Sequence, residues 1–101
     1  MLPVVFSHRA ADDLEAIADF IAQDTPARAV AFLQKLRQQC LNIGRFPNAQ
    51  PRFPELGDRA RVMPYKNYVV LYQVLDDAVS IERIIHGARD ILSLIHHDGS
   101  T

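Results

Sequence analysis

"NYVVLYQVLDDAVSIERIIH", residues 67–86, is the stretch on which the fold turns. Its first part is rich in Val, Leu and Tyr, apolar on both parities, and stops at Asp76-Asp77 before resuming as "VSIERIIH". Runs of β-branched and aromatic residues too short for a helix, separated by turn-forming residues, predict a hairpin of two long strands. With no polar parity, the first strand has to be covered on both faces and is expected in the interior of a sheet. In the second, Val79, Ile81, Arg83 and Ile85 share one parity and Ser80, Glu82, Ile84 and His86 the other, which puts a guanidinium on the more apolar side. Arg83 then either lies along the sheet to reach solvent or a carboxylate, or it binds an anion. An unpaired buried guanidinium costs on the order of several kcal/mol, so a carboxylate is expected from the same sheet or from a bound partner chain.

Upstream, residues 3–7 (Pro-Val-Val-Phe-Ser) are too few for a helix and rich in β-formers, so they read as a first strand. Ser7 is placed to cap the next element, and Asp12 and Asp13 lie towards the positive end of its dipole. Leu14, Ile17, Ala18 and Ile21 recur at helical spacing, giving an amphipathic helix over residues 8–23. "DTPARA" supplies a stop and a start together, with Thr25 as cap and Pro26 in the first turn, where its missing N–H costs nothing. The second apolar stripe runs through Ala29, Phe32, Leu33, Leu36, Cys40 and Ile43, with Gly44 placed to end it. "FPNAQPRFPELGDR", residues 46–59, holds three of the six prolines and excludes a regular helix or a central strand. Phe46, Phe53 and Leu56 are expected to pin this loop to the core. "ARVMP" is a short strand, and "ARDILSLIHH" after Gly87 has the pattern of a short helical tail. The sum is an α+β fold, β-α-α-β-β-β with a short C-terminal segment. A helical hairpin lies on one face of a mostly antiparallel four-stranded sheet, and the other face is left for a partner.

A chain of 101 residues that is 49% apolar and 23% charged fits a single domain, here residues 1–101. The formal net charge is −1, so bulk electrostatics carry no footprint of nucleic-acid or membrane binding. No stretch reaches the length of a membrane span, and the amino terminus lacks the pattern of a signal peptide, so a cytoplasmic protein is expected. Cys40 is the only cysteine, which excludes an internal disulfide and a multi-cysteine zinc site; its place in a helical stripe reads as a core thiol.

His86 is of the residue type most used in acid–base catalysis, yet one histidine at a strand end is more often a hydrogen-bonded structural residue. His8, His96 and His97 have no metal-site spacing. After Gly87, Arg89 follows on a freed backbone, and Asp90 can cap the tail or hold an arginine. The basic residues Arg52, Arg59, Arg61, Lys66, Arg83 and Arg89 are nearly balanced by Glu55, Asp58, Asp76, Asp77 and Glu82, so no broad basic groove is established. No phosphate loop, dinucleotide fingerprint or Ser-His-Asp arrangement is present.

The whole layout and the ending "YVVLYQVLDDAVSIERIIHGARDI", residues 68–91, resemble the ParE/RelE superfamily of bacterial toxins from type II toxin–antitoxin pairs. "VVFSHRAADDLEAIADFIA", "FPELG" and "HGARD" are similar to the ParE branch. The resemblance implies a growth-arresting toxin of the kind associated with plasmid stabilisation, neutralised by a cognate ParD-like antitoxin and acting on DNA gyrase without catalysis. The RelE branch instead cuts messenger RNA on the ribosome. RelE-like members carry lysines where this chain has Ala60 and Val62, an arginine where it has Val69, and a tail tyrosine near Ile95; only Arg89 matches their strand-end arginine. Stabilising a pentavalent phosphate needs those cations, so the ParE reading is preferred. An RNase of the RelE type, or a degenerate non-toxic binding module, is the alternative. Target binding is expected of Arg59, Arg61, Arg83, His86 and Arg89, with no catalytic residue, metal, cofactor or membrane contact, and no direct nucleic-acid binding by the chain alone.

Overall fold

The computed structural model describes residues 1–87. The elements run β1 (Val4–Phe6), α1 (His8–Ala22), α2 (Pro26–Asn42), a single 3₁₀ turn (Pro54–Leu56), β2 (Ala60–Tyr65), β3 (Tyr68–Val74) and β4 (Val79–His86). They form one sheet in the order β1-β4-β3-β2, parallel between β1 and β4 and antiparallel elsewhere. The α+β arrangement and the interior place of β3 are as the sequence predicts. The tail after Gly87, including Arg89 and Asp90, lies outside the described residues.

The core forms between the helices and one face of the sheet. Leu14 and Ile17 of α1 and Leu36 and Cys40 of α2 meet Met63, Val70, Tyr72, Val79, Ile81 and Ile84. Burial pushes the Cys40 thiol up to about 12, against an opposing pull from Arg37, so it stays protonated and inert as a core group. Tyr72 is almost wholly buried, and its hydroxyl has no hydrogen-bond partner among the described residues.

Several local expectations are corrected. Thr25 occupies the N-cap position of α2, but its side chain makes no capping bond. Gly44 is buried, and a Cβ there would collide with the Leu2 carbonyl, while Leu2 N–H donates to the Gly44 carbonyl at 2.9 Å. The glycine is therefore required by the close approach of the amino-terminal strand. Phe46 does not pin the proline-rich loop, being 70% exposed. Backbone and guanidinium bonds hold the loop instead. Phe53 N–H donates to the Ala60 carbonyl at 2.8 Å, Val62 N–H to Pro51 at 3.2 Å, and Arg61 to the Asn48 and Gln50 carbonyls.

The largest departure from a simple parity count is in β4. Leu71 faces Arg83 while Tyr72 faces Ile81, so Glu82 is an extra residue and the strand carries a bulge. Val79 and Ile81 point to the helices before it and Ile84 after it, which a regular strand could not achieve. The β1–α1 corner holds the bulge. Ser7 N–H donates to the Ile81 carbonyl at 2.8 Å, and the Ser7 hydroxyl donates to the Glu82 carbonyl at 2.9 Å while accepting from Ala10 N–H at 3.0 Å as the helix cap. Asp13 is a turn too deep to serve the helix dipole, since the first turn of α1 holds no acidic residue. Its carboxylate accepts from Ile84 N–H at 2.8 Å and from the Arg83 guanidinium at 2.8 and 3.1 Å. Among the described residues the carboxylate partner of Arg83 thus comes from α1 rather than from the sheet.

Both side chains of this pair are mostly shielded from solvent, at 23% and 16% exposure for Arg83 and Asp13. A shielded two-pronged pair couples more strongly than a surface one. In a double-mutant cycle of Asp13→Ala and Arg83→Met, read by urea denaturation, the double variant should lose less stability than the sum of the singles, with a coupling of about 1–3 kcal/mol. Gly44→Ala should cost about 1–3 kcal/mol by overpacking. Tyr72→Phe should be neutral or gain up to about 1 kcal/mol, because it removes an unsatisfied buried hydroxyl. Opposite signs for these two changes in the denaturation midpoint check both assignments.

Candidate interaction surface

The five residues expected to bind a target do not gather into one site. Arg59 stands before β2 and pairs with Asp76 at 3.1 Å; both are more than half exposed, so the pair is a screened surface contact. Arg61 pairs across the ladder with Tyr72 and Arg83 with Leu71, adjacent positions on β3 that face opposite ways. Arg61 is on the helix side, engaged with loop carbonyls, and Arg83 is held by Asp13. His86 is exposed at the end of β4, its ring edge-on to Tyr68 at 5.5 Å and 83°. Arg89 is beyond the described residues.

The sheet face turned away from the core carries Ala60 and Val62 from β2, Val69 and Leu71 from β3, and Ile85 from β4. This face was expected to be open for a partner. Instead Ala60, Leu71 and Ile85 are already at most 8% exposed within the chain itself. A pocket of about 490 Å³ lies beside Ala60, Leu71 and Gln73, bordered by Ser7, Arg9 and Glu82.

The sequence reading missed a row of rings on the helix side. Phe32 of α2 stands 5.8 Å from Tyr65 and 5.7 Å from Tyr68, and Tyr68 leads on to His86. Burial pushes the Tyr68 hydroxyl above the ordinary phenol range. Between Tyr65 and Tyr68, Lys66 adopts φ +53°, a left-handed conformation that favours glycine or asparagine. The one signal available beforehand was the tight two-residue connection implied by "PYKNY". Phe20, 69% exposed on α1, completes the surface near these rings.

Among the described residues no helix is long and apolar enough to cross a membrane.

Comparison with known proteins accounts for this architecture. The family described as the ParE toxin of type II toxin–antitoxin systems, parDE, matches residues 4–91. The chain is 34% identical over 90 residues to Toxin RelE2 of Caulobacter vibrioides, covering 88% of this chain and 99% of that one. A solved structure titled as the chromosomal ParDE TA system from P. aeruginosa has the same fold, with a TM-score of 0.74 at 21% identity over 86% of this chain and 97% of the other. With nearly the whole chain matched and the β-α-α-β-β-β order in place, the chain belongs to the ParE toxin family of type II toxin–antitoxin systems.

Proposed function

We propose that this chain is a single-domain cytoplasmic toxin, neutralised by a cognate ParD-like antitoxin, which when free inhibits DNA gyrase by binding rather than by chemistry. The observation that supports a non-catalytic action is the apolar run on the outer sheet face, where the one strand arginine, Arg83, is tied to Asp13. Ala60, Val62, Val69, Leu71 and Ile85 stand together there. Cleaving RNA through its 2′-hydroxyl requires cations aimed at the phosphate and a group to take up the proton. Arg61 points to the other face, and the Arg83 guanidinium lies in a two-pronged contact with Asp13. A guanidinium so held is poorly placed to follow charge developing on a phosphate.

One observation favours a second reading. The 34% identical relative is named RelE2, and His86 offers an exposed imidazole at the strand end that could serve a ribosome-dependent nuclease. The substitution His86→Gln separates the two. A binding toxin should keep its fold and most of its growth arrest, because the amide preserves a hydrogen bond of similar reach. A nuclease should lose about two to four orders of magnitude in rate with antitoxin binding intact. Arg89→Ala should harm the binding toxin more than His86→Gln does. The purified chain should inhibit gyrase supercoiling with no ribosomes present. Codon-specific cuts in translated mRNA with gyrase unaffected would overturn the proposal, and absence of growth arrest on induction would mark an inert binding module.

A further inference from the structure

Ionised side chains are segregated along the chain. Residues 10–24 hold Asp12, Asp13, Glu15, Asp19 and Asp24 and no lysine or arginine, whereas residues 25–54 hold Arg28, Lys35, Arg37, Arg45 and Arg52 and no carboxylate. The net charge of −1 conceals this separation. At the carboxyl end of α2 the cationic part of the chain also exposes apolar side chains. Arg37, Leu41 and Arg45 follow at intervals of four residues, so they share one side of the helix and of the turn that prolongs it. Phe46 comes next in the chain and is 70% exposed, and Leu41 is 39% exposed. Leu2 N–H donates to the Gly44 carbonyl, which brings the exposed Met1 to the same corner. The backbone here is tied down. Gly44, Arg45 and Phe46 N–H donate to the Leu41, Asn42 and Ile43 carbonyls at 3.2, 3.1 and 3.2 Å, and Ala49 N–H donates to the Phe46 carbonyl at 3.1 Å. A ring held out to solvent on a fixed backbone loses little freedom when it is covered, and aromatic residues with arginine are the composition of protein-binding surfaces.

We infer that this corner, Leu41 and Phe46 with Arg37 and Arg45, is the surface that holds the target protein, seated in an apolar hollow bordered by carboxylates. The inference rests on the reading that the chain acts by binding, and it names the face that does so. Charge complementarity decides the chemistry of the occupant. Among the described residues no carboxylate forms an ion pair with Arg37 or Arg45, so the acidic counterpart comes from outside. A nucleic acid fits this corner less well. Its backbone is held by a run of cations, whereas Arg37 lies over the Phe6 ring at 5.1 Å and Leu41 offers neither charge nor a ring for stacking. A second copy presenting its acidic α1 residues would join head to tail, an arrangement that leaves both ends open unless it closes into a ring.

The test uses the full chain, with gyrase supercoiling and growth arrest as readouts. Phe46→Ala and Arg45→Glu, both at exposed positions, should each raise the concentration needed for half-inhibition by about tenfold or more. Circular dichroism and affinity for the protein encoded beside the toxin should be unchanged. The loss in Arg45→Glu should shrink as salt is raised, and the loss in Phe46→Ala should not. Leu75→Ala, exposed at the β3–β4 turn, should alter neither readout. If the wild-type chain inhibits gyrase and both variants inhibit it equally well, the corner is not the holding surface, although the binding reading stands. If the variants lose affinity for the neighbouring gene's product to the same extent, the corner serves that protein and the inference fails. If the wild-type chain arrests growth while sparing gyrase, relief of arrest by Phe46→Ala upholds the surface and persistence of arrest overturns it. If the wild-type chain does neither, the reading and the inference fall together. Binding of a short DNA duplex by the chain alone, abolished by Arg37→Gln with Arg45→Gln, would show that the occupant had been wrongly assigned.

Discussion

A carboxylate on the second turn of α1 stands in for a missing strand. β1 is three residues long and pairs with β4 only from Val79 to Ile81, so among the described residues no strand flanks the rest of β4 on that side. Backbone groups at a sheet position that is neither paired nor solvated are costly. Ser7 answers the Glu82 carbonyl and Asp13 answers the Ile84 amide, so the β1–α1 corner continues the edge that β1 began. The bulge at Glu82 follows from this arrangement. It bends the strand to meet the corner and changes its parity so that Ile84 returns to the core.

The same constraint shapes what the molecule can do. Holding Asp13 in the partly buried corner requires a counter-charge, and Arg83 provides it through two hydrogen bonds. Arg61 is likewise engaged with the loop between α2 and β2, and Arg59 with Asp76. Three arginines that look like a basic site when written in a line are thus divided between a corner, a loop and a surface pair. The outer sheet face carries Ala60, Val62, Val69, Leu71 and Ile85 beside the Asp13-bound Arg83, while aromatic and cationic residues gather in the groove beside α2 and the β2–β3 turn.

Much of this was legible in the sequence. The 3.6-residue stripe through Leu14 and Ile17, the cap at Ser7, the Pro26 start and the doubly apolar run of β3 each report a local physical preference, and each appears where that preference places it. The bulge was not legible, because one extra residue changes which side chains face which way without changing composition. Counting parity through Glu82 therefore put Arg83 on the face of Val79 and Ile81; the bulge turns it to the other face, and its carboxylate partner lies 70 residues away in sequence. Nor could the sequence distinguish Asp13 from Asp12 beside it; only packing of α1 against β4 turns one inward and leaves the other in solvent. Phe46 misled for the opposite reason, since an aromatic residue between prolines reads as an anchor while backbone hydrogen bonds secure the loop.

The central claim is that the corner substitutes for a strand, and hydrogen exchange at a single amide tests it most directly. Ile84 N–H has its acceptor on a helix side chain rather than on a neighbouring strand. If the Asp13 carboxylate is a true structural substitute, this amide should exchange in the wild-type protein only through large-scale opening, at a rate comparable with Val70 in the interior of β3. In Asp13→Ala it should become fast while Val70 keeps most of its protection. Rapid exchange of Ile84 in the wild-type protein, or protection unchanged by Asp13→Ala, would contradict the account.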